Sequence, residues 1–190
     1  MGKRSPLRTL SRFVVAALVF ATSASLMSYS QPEPRPQNTV INETSFRLTL
    51  PGPWTTGDIN DLSRRTYHSA SGNEGLTVSI FGSLFGSPGS KSHDERNVIF
   101  KQWVEKRRQV ETKMPGFADS TVTEPFYGEA QGTMAARYEG FDPSRHRRFH
   151  CLVLASSSAF EVFYYEAVDV AQSLAEERAK AIFNSVDIPK

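Results

Sequence analysis

The sequence predicts an α+β fold, in which an antiparallel sheet of about six to seven strands packs with two helices as an α/β/α sandwich. Short segments with alternating apolar and polar residues are separated by turn signals, as in antiparallel sheets with short links. Two longer segments repeat apolar residues at helical spacing. The strand segments come in blocks rather than alternating one by one with helices, which favours α+β over α/β.

The first block contains three predicted strands. Residues 46–50 and 76–82 alternate apolar and polar side chains, and residues 64–70 are rich in β-forming types. The segment 71–75, Ser-Gly-Asn-Glu-Gly, predicts a turn between the second and third strands. A loop rich in Gly and Ser then follows from residue 82 to 92.

A helix of about 20 residues is predicted next. Ser92-His93-Asp94-Glu95 is a capping box, in which the Ser oxygen accepts a hydrogen bond from a free N–H of the first turn and the Glu carboxylate accepts one from the N–H of the N-cap residue. Pro115-Gly116 predicts the end of the helix. The predicted buried stripe is made of Ile99, Trp103, Val110 and Met114.

The second block contains strands predicted at 121–126, 132–141, 149–155 and 160–167. Pro125 has no N–H for a sheet ladder, so it is expected at an edge or a bulge. Ser173-Leu174-Ala175-Glu176 is interpreted as a second capping box. The closing helix carries a stripe made of Ala175, Arg178, Ala179, Ile182 and Phe183.

The order of these elements, together with two local segments, resembles the Mog1/PsbP-like fold superfamily. One segment is the strand and turn from Phe46 to Trp54, FRLTLPGPW, and the other is the end of the closing helix, Ala179 to Ser185. The resemblance covers residues 44–188 and implies an exported bacterial domain of unknown function. It implies no site residues, because fold likeness does not determine activity.

The first 25 residues are predicted to be a signal peptide or an N-terminal membrane anchor. Four basic residues precede an apolar run at 13–21, and small residues follow it. The run is shorter than the about 20 residues that a spanning helix needs, which favours cleavage. The expected location is therefore extracytoplasmic, in the periplasm or secreted. The alternative is a protein tethered to the membrane by residues 13–27. Contact with the membrane is expected only through this N-terminal segment.

Residues 26–40 are predicted to be a Pro-rich flexible linker, and residues 41–190 a single α+β domain. Three prolines alternate with polar residues in QPEPRPQN at 31–38. Proline restricts φ and lacks an N–H, so such a stretch stays extended and unpacked.

Charge and loop composition argue against nucleic-acid and nucleotide binding. Four of the 22 basic residues lie in the first 30, which hold no acid, so the 20 acids outnumber the basic residues of the remainder. The alkaline pI therefore comes from the leader. The loop from Gly86 to Ser92 departs from a phosphate-binding loop because Ser90 precedes Lys91. No cofactor is expected.

The sequence predicts no metal site and no reactive thiol. One cysteine excludes an internal disulfide framework, and Cys151 is expected to be a small core residue within an apolar strand. His146 and His150 would lie roughly 13 Å apart on a regular strand, too far to share one ion directly.

The candidate binding residues are Arg145, Arg147, Arg148 and His68. The three arginines form the densest charge cluster of the domain, at the end of a predicted hairpin. Such a cluster suits an anionic partner in the cell envelope, either lipid headgroups or an acidic protein face. His68 is a single histidine expected to face a groove.

The expected function is an exported, non-catalytic binding or assembly module. Two alternatives stay open. The first is a toxin-immunity or phage-related envelope protein on the same fold. The second is a small periplasmic hydrolase that uses His68 with Glu161 or Glu166 as its acid.

Overall fold

A computed structural model describes residues 37–57, 63–87, 89–113, 120–130, 132–156 and 159–189. The predicted leader and most of the predicted linker lie outside these residues. No helix in these ranges is long and apolar enough to cross a membrane. The elements in chain order are β1 (Thr39–Asn42), β2 (Arg47–Leu50), β3 (Trp54–Thr56), β4 (Arg64–Ser69), β5 (Glu74–Gly82), α1 (His93–Lys113), β6 (Thr121–Val122), β7 (Phe126–Ala130), β8 (Thr133–Asp142), β9 (Arg147–Ala155), β10 (Ala159–Val168) and α2 (Gln172–Asn184).

The main sheet is antiparallel throughout, which confirms the predicted α+β class. In the described part of the chain it has eight strands in the order β3-β4-β5-β10-β9-β8-β6, and β7 also pairs with β8. Strands β1 and β2 form a separate antiparallel hairpin. A bridge between Arg47 and Asp187 connects this hairpin to the segment after α2.

Both faces of the main sheet are covered, because successive side chains of a strand point to opposite sides. One face packs against α2 and the β1–β2 hairpin, and the other packs against α1. Strand β10 shows the alternation: Phe163 and Tyr165 lie in the α2 layer, whereas Phe160 and Val162 lie in the α1 layer. The protein therefore has the predicted three-layer sandwich.

The first predicted capping box is confirmed. The Ser92 hydroxyl accepts from the Glu95 N–H at 3.2 Å, and the Glu95 carboxylate accepts from the Ser92 N–H at 2.8 Å. The hydrogen bonds from Ser92 hold the pKa of Glu95 below its ordinary value. The predicted stop at residues 115–116 lies outside the described residues.

The predicted buried stripe of α1 is correct in part. Ile99 and Trp103 are partly buried and pack against the core, but the fully buried side chains lie one position further along the chain. The buried residues of the helix are Phe100, Val104 and Glu111, whereas Val110 is 48% exposed. The spacing of the buried residues is helical, but an acidic residue occupies the last position. A search for apolar side chains therefore selects the neighbouring flank of the helix. Met114, also predicted in the stripe, lies outside the described residues.

Three further differences concern short elements. The strand predicted at 121–126 is divided into β6 and β7 on either side of Pro125, and both pair with the outer edge of β8, as expected for proline. Strands β1 and β3, of four and three residues, were not predicted. Strand β1 begins at Thr39, so sheet pairing starts inside the stretch predicted as linker.

The second predicted capping box is wrong. Helix α2 begins at Gln172 with Ala171 at the N-cap and no side-chain cap. Ser173 is the second residue of the helix, two positions after the N-cap, so its hydroxyl does not cap the helix.

The buried carboxylate of Glu74 connects the sheet to α2, so its substitution is expected to destabilise the fold. Glu74 is 5% exposed, accepts a hydrogen bond from the Tyr165 hydroxyl at 2.6 Å and pairs with Arg178. We expect Glu74→Gln to lower the free energy of unfolding by about 1–3 kcal/mol, because the charge-assisted contact to Arg178 is lost. Urea denaturation measures this, with Glu177→Gln on the exposed side of α2 as the control. Equal stability of the two variants would contradict this role.

A second buried acid, Glu161, predicts a dependence of stability on pH. It is 2% exposed on the α2 face of β10, and burial raises its pKa from 4.5 to about 7. The folded state therefore binds the proton more tightly, and stability falls as the pH rises from 4.5 to about 7. Between about pH 5 and pH 8 we expect the wild type to lose roughly 1–3 kcal/mol more than Glu161→Gln. Urea denaturation at both pH values checks this, and parallel losses would refute it.

Candidate functional site

The three predicted arginines do not form one patch. Arg147 and Arg148 are neighbours on β9, so their side chains point to opposite faces of the sheet. Arg147 is mostly buried and lies 3.4 Å from Asp142 and 3.7 Å from Glu166. Arg148 lies over the ring of Phe141, 4.3 Å from its centroid. Arg145 is exposed and lies 4.0 Å from Asp142.

His68 lies on β4, apart from Arg145 and Arg148. His68 is exposed. Its neighbour Tyr67 packs in the α2 layer, and successive residues of a strand point to opposite faces, so His68 lies on the α1 face. In the register of the sheet, His68 pairs with Gly75 and Gly75 pairs with Glu166. The structure therefore brings His68, Glu166 and Arg147 to one face of the sheet.

The same face carries a cleft beside α1. The helix packs on β8, β9 and β10, and a cavity of about 350 Å³ lies between its flank and strands β4, β5 and β10. We call this cavity the α1 cleft. It is lined by Arg64, Thr77, Ser79, Arg107, Glu111, Val162, Tyr164 and Glu166.

Glu111 lies at the inner wall of the α1 cleft and is 3% exposed. Its Oε1 atom accepts a hydrogen bond from the Nε atom of Arg107 at 2.8 Å. Its Oε2 atom is buried and has no hydrogen-bond partner within the described ranges. A buried carboxylate oxygen without a donor is costly, so this atom is a candidate ligand contact.

Two tyrosines and the cysteine adjoin Glu111. The hydroxyls of Tyr138 and Tyr164 are buried. Tyr138 lies close enough to Cys151 and Glu111 to interact weakly with both, whereas the Tyr164 hydroxyl has no hydrogen-bond partner among the residues described. Burial raises the pKa of both phenols, and the nearby charge of Glu111 adds to the effect. Both hydroxyls therefore stay protonated at neutral pH and can donate hydrogen bonds. Tyr164 lines the α1 cleft.

The prediction that Cys151 is a core residue is confirmed. Cys151 is fully buried, and burial raises the pKa of its thiol to about 12. At neutral pH the sulfur is therefore a thiol rather than the thiolate that a nucleophile or metal ligand needs.

The sheet separates one of the two hydrolase pairs. Glu161 lies in the α2 layer opposite Ile80 and Leu154, whereas His68 lies on the α1 face. The main sheet therefore stands between the side chains of His68 and Glu161. Glu166 shares the face of His68, but an intervening strand lies between them.

The two closely spaced histidines contact different acids. His146 lies 3.7 Å from Asp169, and His150 lies 3.0 Å from Glu139. Burial lowers the pKa of His150, and the charge of Glu139 opposes this effect. Among the described residues, no group of three or more His, Cys, Asp or Glu side chains is placed to hold a metal ion.

A second cavity of about 210 Å³ lies on the opposite face, between β7 and the end of α2. Its lining is mostly apolar, and Phe126 at its rim is 76% exposed. Among the described residues that line this cavity, none has a buried polar atom without a hydrogen-bond partner. The α1 cleft differs from it in this respect.

Of the residues that line the α1 cleft, sequence reasoning named only Glu166 as a candidate and missed the others. Glu111 and Arg107 follow Phe100 and Val104 at helical spacing, so a reading that kept charged residues in the stripe would have selected them. Tyr164 lies within the strand predicted at 160–167, and the sequence contains no signal that its hydroxyl lacks a partner.

Solved structures similar to this chain include the cyanobacterial PsbP protein CyanoP from Synechocystis sp. PCC 6803. It is 13% identical with a TM-score of 0.53, over 86% of this chain and 99% of that one. LpqN, described as involved in cell envelope biogenesis of Mycobacterium tuberculosis, is 12% identical with a TM-score of 0.50, over 81% of this chain and 91% of that one. A Bacteroides thetaiotaomicron protein is 8% identical with a TM-score of 0.50, over 83% of this chain and 50% of that one.

No family model matches the sequence, and no curated protein matches it. Identities this low show a common fold and carry no site residues from one protein to another. The element order, the antiparallel sheet and these structural likenesses agree with the predicted resemblance. The chain therefore has the Mog1/PsbP-like fold.

Proposed function

We propose that this chain is an exported, non-catalytic binding module of the cell envelope that holds a small polar ligand in the α1 cleft. The observation that carries the proposal is the pair of buried polar atoms in the cleft lining, Glu111 Oε2 and the Tyr164 hydroxyl. Neither has a hydrogen-bond partner among the residues described.

An unpaired buried polar atom costs about 1–3 kcal/mol of stability, and a ligand that forms a hydrogen bond with the atom recovers this free energy. The Glu111 oxygen needs a donor, and the Tyr164 hydroxyl supplies one. Both groups project from regular elements, α1 and β10, so the site exists before the ligand arrives. Preorganised polar groups in a concave surface are typical of small-molecule sites.

Three observations support binding rather than catalysis. The Cys151 thiol is protonated and fully buried. Arg147 lies beside Glu166 of the cleft lining, and its positive charge is already paired with the carboxylates of Asp142 and Glu166. His68 is exposed and is separated from Glu161 by the sheet.

Export is supported by the leader and by one of the structural likenesses. The basic residues followed by the apolar run at 13–21 have the pattern that is typical of an export signal. LpqN, one of the structurally similar proteins, is involved in cell envelope biogenesis of Mycobacterium tuberculosis.

A ligand screen tests the binding site. The full chain is screened by thermal shift against small polar metabolites and envelope fragments. For any compound that raises the Tm of the wild type, we expect Glu111→Gln and Tyr164→Phe each to weaken binding by about 5- to 100-fold, because each removes one recovered hydrogen bond. Glu177→Gln, an exposed acid on α2, is the matched control and should bind like the wild type.

Two results would contradict the proposal. One is a ligand whose affinity is unchanged in both cleft variants. The other is turnover of a screened compound by the purified wild-type chain that is lost in His68→Ala, which would favour the hydrolase alternative.

Export has a separate test. The full chain is expressed in a bacterial host, the cells are fractionated, and the product is sequenced from its N-terminus. We expect an extracytoplasmic product that begins near Ser25. A product in the envelope fraction that retains Met1 would instead indicate a membrane tether, and a cytoplasmic product would contradict export.

A further inference from the structure

The charges in the α1 cleft are compensated, with one exception. Glu111 pairs with Arg107, and Glu166 lies 3.7 Å from Arg147. Arg64 lines the cleft from β4, and its guanidinium has no hydrogen bond or ion pair within the described ranges. Among the described residues that line the cleft, Arg64 is therefore the one charged side chain without an ion-pair partner.

An uncompensated arginine selects the charge of a ligand. The planar guanidinium donates two parallel hydrogen bonds to a carboxylate, which gives both affinity and orientation. A cationic ligand is disfavoured, because Arg64 repels it and the charge of Glu111 is already neutralised by Arg107. The ligand is thus expected to carry a carboxylate at the Arg64 end of the cleft.

The rest of the lining is suited to hydroxyl groups. Glu111 Oε2 accepts a hydrogen bond, the Tyr164 hydroxyl donates one, and the side chains of Thr77 and Ser79 can do either. A hydroxyl is both donor and acceptor, so several hydroxyls on one small molecule match this alternation. The cavity of about 350 Å³ is at the lower end of the about 300–1,000 Å³ of small-molecule sites, which suits a single sugar ring.

We infer that the α1 cleft binds a sugar acid, with its carboxylate on Arg64 and its hydroxyls on Glu111 and Tyr164. This inference rests on the proposed function, because it names the ligand class of the same site.

The test compares two sugars that differ in one group, D-glucuronate and D-glucose. Binding to the full chain is measured by calorimetry. We expect glucuronate to bind at least about 10-fold more tightly than glucose, because a charge-assisted contact is added. Arg64→Gln should bring this ratio close to one. Lys180→Gln, which removes an exposed positive charge in the opposite layer, should leave the ratio unchanged.

A second variant tests the hydroxyl contacts. Tyr164→Phe should weaken glucuronate and glucose by the same factor, because both sugars carry the hydroxyls. Because this change removes one buried oxygen and leaves the aromatic ring in place, urea denaturation of the variant separates loss of folding from loss of binding. A variant that weakens glucuronate alone would contradict the assignment of Tyr164.

The failure of this inference is distinguishable from failure of the proposed function. Equal affinities for the two sugars, or a ratio that survives Arg64→Gln, would overturn the sugar-acid assignment. If neither sugar binds but another screened compound does, and its binding is weakened in Glu111→Gln, the ligand class is wrong and the cleft remains the site. If Glu111→Gln and Tyr164→Phe bind every compound as tightly as the wild type does, both the proposed function and the sugar-acid inference are contradicted.

Discussion

The structure depends on the burial of both faces of its central strands. Strands β9 and β10 carry apolar or aromatic side chains at successive positions, so neither face tolerates water. Helix α2 and the β1–β2 hairpin cover one face, and α1 covers the other over β8, β9 and β10. A single helix is about 10 Å wide. Helix α1 reaches the end of β5 through the contact of Trp103 with Phe81, but it leaves the cleft open beside β4 and the middle of β5. The α1 cleft is the consequence of this unequal coverage.

The two layers also differ in how they satisfy buried polar groups. Tyr165 and Tyr164 are neighbours on β10 and point to opposite faces. The Tyr165 hydroxyl donates a hydrogen bond to Glu74, and Glu74 also pairs with Arg178 of α2. The buried polar groups of the α2 layer are therefore satisfied at this position. The Tyr164 hydroxyl has no such partner among the described residues, and Glu111 keeps one oxygen unpaired. Groups that lower stability without a compensating contact are expected where a protein binds something.

The similarity to other solved structures concerns the arrangement of the sheet and helices, and it does not extend to the residues that line the α1 cleft. A TM-score of 0.53 at 13% identity reflects the same sheet and helices built from different side chains. Sites on such a shared framework come from the residues placed on it, and Glu111, Tyr164 and Arg64 are properties of this chain. Ligand binding by this chain is therefore determined by these side chains rather than by the fold.

Much of the fold was predictable from the sequence, because local periodicity determines element type. The alternation at 46–50 and 76–82, the capping box at Ser92 and the missing N–H of Pro125 each specify a local structure without knowledge of distant residues. Even the separation of Arg147 from Arg148 follows from strand parity once β9 is assigned. Short strands such as β3 lie below the length at which periodicity is detectable.

The candidate site required the tertiary structure. Whether the buried stripe of α1 includes Val110 or Glu111 is a rotation of 100° about the helix axis, and only packing against the sheet selects between them. The cleft joins β4, α1 and β10, segments separated by tens of residues, whose proximity is determined by strand order. The sequence by itself determined which segments are strands and helices. The tertiary structure decided which polar side chains meet, because that depends on the register and coverage of the sheet.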